Sequence, residues 1–123
     1  MRFNKLKISA DSTSRLRSLR QRTGLTPNLL CRFAVMLSLE EGPIGSQRAP
    51  DENGQEFNAY TLTGEYNGVF AALLRFVEEA EDEPPLSNEE LLARFRAHIH
   101  RGIATLAVRA RTPADVARLA IAA

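Results

Sequence analysis

Cysteine is nearly absent from this chain, tryptophan is wholly absent, and no apolar run is long enough to cross a bilayer. Cys31 has no second cysteine for an internal disulfide and no companion ligands at zinc-site spacing, so reducing surroundings suit it and no structural metal is implied. The opening Met-Arg-Phe-Asn-Lys lacks the apolar core of a signal peptide, and a cytoplasmic protein with no membrane role is expected. Enzymatic signatures are missing too. There is no P-loop, dinucleotide fingerprint or Gly-x-Ser-x-Gly elbow, and the carboxylates gather in loops and at helix ends. No catalytic residue, cofactor site or metal site is assigned on this reading.

What is present is segregated charge. The net charge of +1 hides three regions. Residues 1–34 carry eight cations against Asp11 alone, residues 35–93 carry Arg48 and Arg75 against thirteen acids, and the stretch from Arg94 carries six arginines against Asp115. Such polarity is the mark of an electrostatic partner. The N-terminal cations include Lys5, Lys7, Arg15, Arg17, Arg20 and Arg22, and four guanidiniums on one short helix repel one another unless an anion is present. These six residues are the candidate DNA-binding set.

With 123 residues, 44% of them hydrophobic, the chain is expected to form one domain around one core. Residues 2–9 alternate in the period of a half-buried strand, with Leu6 and Ile8 opposite Lys5 and Lys7. A lone strand is unstable, so it must dock on its own helices or pair with another chain, as in a two-fold dimer. Asp11, Ser12 and Ser14 offer caps for a first helix ending at Thr23-Gly24, and Thr26-Pro27 starts a second that runs to about Glu41. The second helix is apolar on nearly every face and is expected at the centre of the core.

Residues 42–63 read as an irregular loop with a short extended piece near Tyr60 to Leu62. Residues 64–123 then read as helices. One begins near Glu65 with a buried stripe of Tyr66, Val69, Phe70, Leu73, Leu74 and Val77 and ends in the acidic cluster 78–83, expected to be solvated. The Ser87-x-x-Glu90 capping box starts another, whose inner face is Leu92, Phe95, Ile99, Ile103 and Leu106, and Thr112-Pro113 opens the last. His98 and His100 point to different sides and read as packing or surface residues; Cys31, inside an apolar helix, reads as structural. The fold class is mainly α, with a ribbon-helix-helix-like strand and two helices (1–41) followed by about three more helices.

Strand, helix, Thr-Gly turn and helix is the layout of ribbon-helix-helix DNA binders. A sequence-specific repressor is one function consistent with it, and a scaffold whose basic face meets an acidic protein is another. More specific is the run Arg20-Gln21-Arg22-Thr23-Gly24-Leu25 with Asn28, Leu30-Cys31-Arg32-Phe33-Ala34 and Leu37-Ser38-Leu39, joined by Leu62-Thr63-Gly64-Glu65-Tyr66 and His98-Ile99-His100-Arg101-Gly102. These motifs, in this order from Phe3 to about Leu106, resemble the DndE proteins of the bacterial DNA phosphorothioation system. Tryptophans common around the second helix of that family are missing here, with Phe33 in the aromatic position.

The resemblance implies a role in replacing a non-bridging phosphate oxygen of DNA by sulfur. It implies that other subunits, a cysteine desulfurase and an iron-sulfur protein, supply the sulfur chemistry. The small subunit would bind double-stranded DNA, nicked duplex preferred, as a homo-oligomer, specifically a tetramer. Lys5 and Lys7 match a basic segment expected to contact DNA, and the four arginines extend that surface on grounds of charge.

Overall fold

The computed structural model describes residues 1–122. The N-terminal strand β1 (Lys5–Lys7) buries Leu6 and exposes the two lysines, as the alternation predicts. Its apolar side chains Leu6 and Ile8 join the helical core, and its hydrogen-bonding partner is a second strand of the same chain. β1 pairs antiparallel with β2 (Glu56–Asn58), which lies within the stretch read as an irregular loop, in the register Lys5 to Asn58, Leu6 to Phe57 and Lys7 to Glu56. Leu6 and Phe57 are both buried, so the cross-strand pair seals the inner face. The ladder runs on through Ile8 N–H to Gln55 O at 3.0 Å and Gly54 N–H to Ile8 O at 2.9 Å.

The expected extended piece at Tyr60 to Leu62 is instead a single helical turn, α3 (Ala59–Leu62). The Asn58 side-chain oxygen accepts the Thr61 N–H at 2.8 Å, so the chain turns helical directly out of β2. That cap outweighs the strand preference of Tyr and Thr.

Helix α1 (Ala10–Thr23) is capped by Ser9, whose hydroxyl accepts the Ser12 N–H at 3.0 Å, rather than by Asp11, Ser12 or Ser14. Ser9 is the last extended residue before the helix, which is where a cap must sit. Gly24 closes α1 in the left-handed conformation, its N–H on Arg20 O at 2.8 Å. The loop before β2 is clamped to the start of α1. Asp51 Oδ1 accepts the Ala10 N–H and the Asn53 N–H, both at 3.0 Å, and Thr13 Oγ1 accepts the Gln55 N–H at 2.7 Å. Gly54 fits beneath this clamp only because it lacks a Cβ, which would lie 2.1 Å from Thr13 Oγ1.

Helix α2 (Pro27–Glu40) is central, as its all-round apolar surface predicts. Leu30, Cys31, Ala34, Val35 and Leu39 are buried, and it packs along α5 (Asn88–Arg109). Helix α4 (Asn67–Glu78) follows a 3-10 turn at Gly64–Tyr66 and buries Phe70, Ala71 and Leu74. Tyr66 and Val69, expected in that stripe, are exposed: Tyr66 belongs to the preceding 3-10 turn, outside the helical register, and Val69 lies off the buried line of Phe70, Ala71 and Leu74. In α5 both bonds of the Ser87–Glu90 capping box form, and Leu91, Phe95, Ile99, Ile103 and Leu106 are buried. Leu92, expected there, is only half-buried and Leu91 takes the inner place. Helix α6 (Pro113–Ala122) packs Val116 onto the core. No helix among the described residues is long and apolar enough to cross a membrane.

Candidate nucleic-acid interface

The two-stranded ribbon has one apolar and one polar face, since side chains alternate along each strand. Its polar face carries Lys5 and Lys7 from β1 with Glu56 and Asn58 from β2. Lys5 Nζ lies 3.8 Å from Glu56 Oε2, a long contact between exposed groups that contributes little to stability. Lys7 faces the same acid across the register. A single carboxylate therefore stands between the two lysines, a feature that only the pairing of β2 with β1 creates.

Beyond β2 a shallow cleft of about 320 Å³ is lined by Arg20, Pro27, Asn28, Glu56, Asn58 and Thr61. The start of α2 opens here. Thr26 occupies the N-cap position but makes no side-chain capping bond, so the first-turn amides of α2 are available to an anion alongside the Arg20 guanidinium.

The four α1 arginines do not form one patch. Successive helical positions turn by about 100°, which puts Arg17 and Arg20 on the flank of Thr13, beside the ribbon, and Arg15 and Arg22 on the opposite flank. The contacts agree. Thr13 holds Gln55, whereas Arg22 Nη2 donates to Ala107 O at 3.3 Å in the last turns of α5. Arg15 Nε donates to Asp11 at 2.9 Å. Lys7, Arg17 and Arg20 have no ion-pair partner among the described residues. The structure thus joins Lys5, Lys7, Arg17 and Arg20 around the ribbon and sets Arg15 and Arg22 apart.

Most of the basic charge after residue 93 serves internal bonds. Arg94 Nη1 meets Glu78 Oε1 at 2.8 Å, Arg118 meets Asp115 at 2.9 Å, and Arg101 donates to Ser38 O and Gly42 O, both at 2.6 Å. The acidic cluster is divided in the same way. Glu81, Asp82 and Glu83 are exposed, as expected, but the Glu78 side chain is sealed from solvent. Burial alone would raise its pKa. Donation from the Ile44 and Gly45 amides, Arg94 and His98 outweighs that and holds the carboxyl below its ordinary range. Cys31 is buried and unpaired, and burial pushes its thiol up to about 12, so it is not a thiolate at neutral pH.

A family model described as DndE, DNA sulphur modification protein DndE, matches residues 5–113. Among curated proteins no sequence matches. The crystal structure of DndE from Escherichia coli B7A, described as involved in DNA phosphorothioation modification, is similar at 27% identity with a TM-score of 0.73, covering 86% of this chain and 100% of that one. A lysine-substituted DndE mutant, described as involved in DNA phosphorothioation, is similar at 25% identity and a TM-score of 0.70, covering 86% and 99% of the two chains. The match spans the ribbon, the α1–α2 turn and the α5 packing from which the basic surface is built, and the chain belongs to the DndE family.

Proposed function

We propose that this protein is a non-catalytic, cytoplasmic subunit of the DNA phosphorothioation machinery that holds duplex DNA, nicked duplex preferred, on the basic face of a homotetramer. Other subunits of that machinery are its partners and supply the sulfur chemistry. The observation that carries the reading is the exposed Lys5–Lys7 face of the ribbon, continuous with Arg20 and the uncapped start of α2. These groups suit phosphate oxygens rather than base edges, because α2 is occupied with core packing and offers no polar reading face. Repetition in a tetramer would multiply the phosphate contacts, and each contact adds about 0.9 to the salt slope. A nick lowers the bending cost of fitting DNA to several such patches at once.

The experiment is a pair of binding curves for nicked and intact duplexes of one sequence across a salt series, with oligomeric mass measured on the same samples. Tighter binding of the nicked duplex with a steep salt slope is expected. Equal affinities remove the nick preference, and unchanged binding by the Lys5→Ala, Lys7→Ala variant removes the surface. Competition by unrelated DNA separates this reading from a sequence-specific repressor, which would keep its operator against such a competitor.

A further inference from the structure

A second polar cleft, separate from the ribbon, lies between the segment 44–51 and α5. It holds about 380 Å³, and its polar lining is Gln47, Arg48, Asp51, His100 and Arg101. Two of these side chains are fixed from behind. Ser9 Oγ accepts the Ser12 N–H and lies 2.9 Å from His100 Nδ1, and the Ser12 hydroxyl approaches the same nitrogen at 3.2 Å; both serines are buried, and His100 Nδ1 is the acceptor at hand for their protons. With Nδ1 accepting, the ring proton sits on Nε2. That nitrogen has no protein partner among the described residues and is not sealed.

Arg101 is held in a similar manner. Its Nε donates to Ser38 Oγ at 2.8 Å and its Nη2 donates to two backbone oxygens, which leaves Nη1 without a partner among the described residues and open to solvent. Arg48, exposed on the loop side, supplies a third donor group. The acids nearby are already engaged. Asp51 Oδ1 holds the Ala10 and Asn53 amides, Glu41 Oε2 lies 3.3 Å from Arg101 Nε, and Glu52 faces Arg96 at 3.7 Å one turn along α5.

We propose that this cleft binds a terminal phosphate, with His100 Nε2–H, Arg101 Nη1 and the Arg48 guanidinium each directed at one oxygen. A backbone phosphodiester presents two unsubstituted oxygens, whereas a phosphate monoester presents three and orthophosphate four, so only the latter two can give each of the three donors its own oxygen. Charge-assisted bonds from arginine to phosphate are the strong members of such a set. Asp51 and Glu41 offset part of the positive charge, so binding is expected to be weak, with Kd on the order of 1 mM for orthophosphate. The same chemistry comes from two sources, free orthophosphate and the phosphorylated end of a nucleic-acid strand. Phosphate binding in this cleft is independent of whether the ribbon holds DNA.

The test follows the His100 ring signal by NMR in the full chain during titration with sodium phosphate, against sodium chloride at matched ionic strength. A saturable shift with phosphate alone is expected, weakened about tenfold in Arg48→Gln, the loss of one charge-assisted bond. Arg48 is exposed, so this variant keeps the fold. Equal shifts with chloride and phosphate, or an unchanged midpoint in Arg48→Gln, overturn the proposal. Short duplexes with 5′-phosphate and 5′-hydroxyl ends then identify the source. A His100 shift with the phosphorylated end alone assigns the site to strand ends, no shift with either end assigns it to free phosphate, and identical shifts with both ends show that backbone phosphodiesters suffice and overturn the preference for a terminal phosphate.

Discussion

Nε2 of His98 lies 2.9 Å from Oε2 of Glu78, and both side chains are sealed from solvent. On the other side of the ring Nδ1 meets Ser38 Oγ at 2.8 Å, and that oxygen also accepts the Arg101 Nε–H. The ionised Glu78 can only accept, so Nε2 carries the ring proton, and with the His98 pKa lowered by burial the neutral ring accepts the Ser38 proton at Nδ1. Ser, His and Glu in a row bring hydrolytic triads to mind, but here serine bonds Nδ1 and is itself fully buried. No substrate reaches it. The row instead ties α2, α4, α5 and the 44–45 backbone into one polar joint.

Removing Glu78 strands four donors at once. Glu78→Ala leaves the Ile44 and Gly45 amides, Arg94 and His98 without their shared acceptor, and a loss of about 3 to 5 kcal/mol is expected. Urea unfolding measures it. A loss below about 1 kcal/mol, typical of an exposed carboxylate, would contradict the sealed geometry.

Acid should act through the same joint in two stages. Burial, chiefly, lowers the His98 pKa, with Arg101 and Arg94 adding to it against the opposing pull of Glu78. A lowered folded pKa means that the unfolded chain takes up the proton first, so stability falls as pH drops below about 6.5 toward the folded value. Glu78 is also held low, so its contribution is present above about pH 4.5 and disappears on further acidification. Tm followed from pH 8 to 3 should decline through both windows, and His98→Gln should lack the first. A wild-type Tm that is flat between pH 7 and 5 contradicts a neutral buried His98.

The α2–α5 crossing leaves no space for even one methyl group. A Cβ on Gly102 would lie 1.9 Å from Ala34 O, so Gly102→Ala must push two core helices apart. Overpacking costs of this kind run to about 1 to 3 kcal/mol or more. Gly68, in the first turn of α4, is an internal control because a Cβ there meets nothing within 4 Å. Gly68→Ala should stabilise by about 0.5 to 1 kcal/mol. Similar thermal shifts of one sign in both variants would show that the crossing is looser than its geometry.

Much of this architecture is legible from local rules. Gly24, Pro27 and the Ser87–Glu90 box end and start helices where they should, because caps are decided within four residues. The period of Phe95, Ile99, Ile103 and Leu106 identifies the inner face of α5 for the same reason. Strand β2 is not legible. Three residues, Glu-Phe-Asn, carry no measurable period, and their pairing depends on β1, about fifty positions earlier. Glu78 departs from expectation because a run of acids looks solvated, while its burial follows from two loop amides and an arginine sixteen positions away. The candidate DNA surface is legible as charge but not as shape. Only the turn of α1 and the Arg22 contact with α5 divide its arginines into two flanks.

That division gives a prediction that tests the proposed surface residue by residue. Arg17 and Arg20 share the ribbon flank, so the Arg17→Ala, Arg20→Ala variant should weaken duplex binding and reduce the salt slope by about 0.9 for each phosphate no longer neutralised. Arg22 has its guanidinium on α5, so Arg22→Ala should leave that slope nearly unchanged. Glu56 works in the opposite sense, because it stands between Lys5 and Lys7 and repels the phosphates they would meet. Removing one exposed charge at contact distance is worth up to about 1 kcal/mol in water and less with salt, so Glu56→Gln should tighten binding about two- to fivefold. Fluorescence anisotropy on one nicked duplex reads all three variants. Weaker binding by Glu56→Gln, or an equal drop in slope from either arginine flank, would place the DNA somewhere other than on the ribbon.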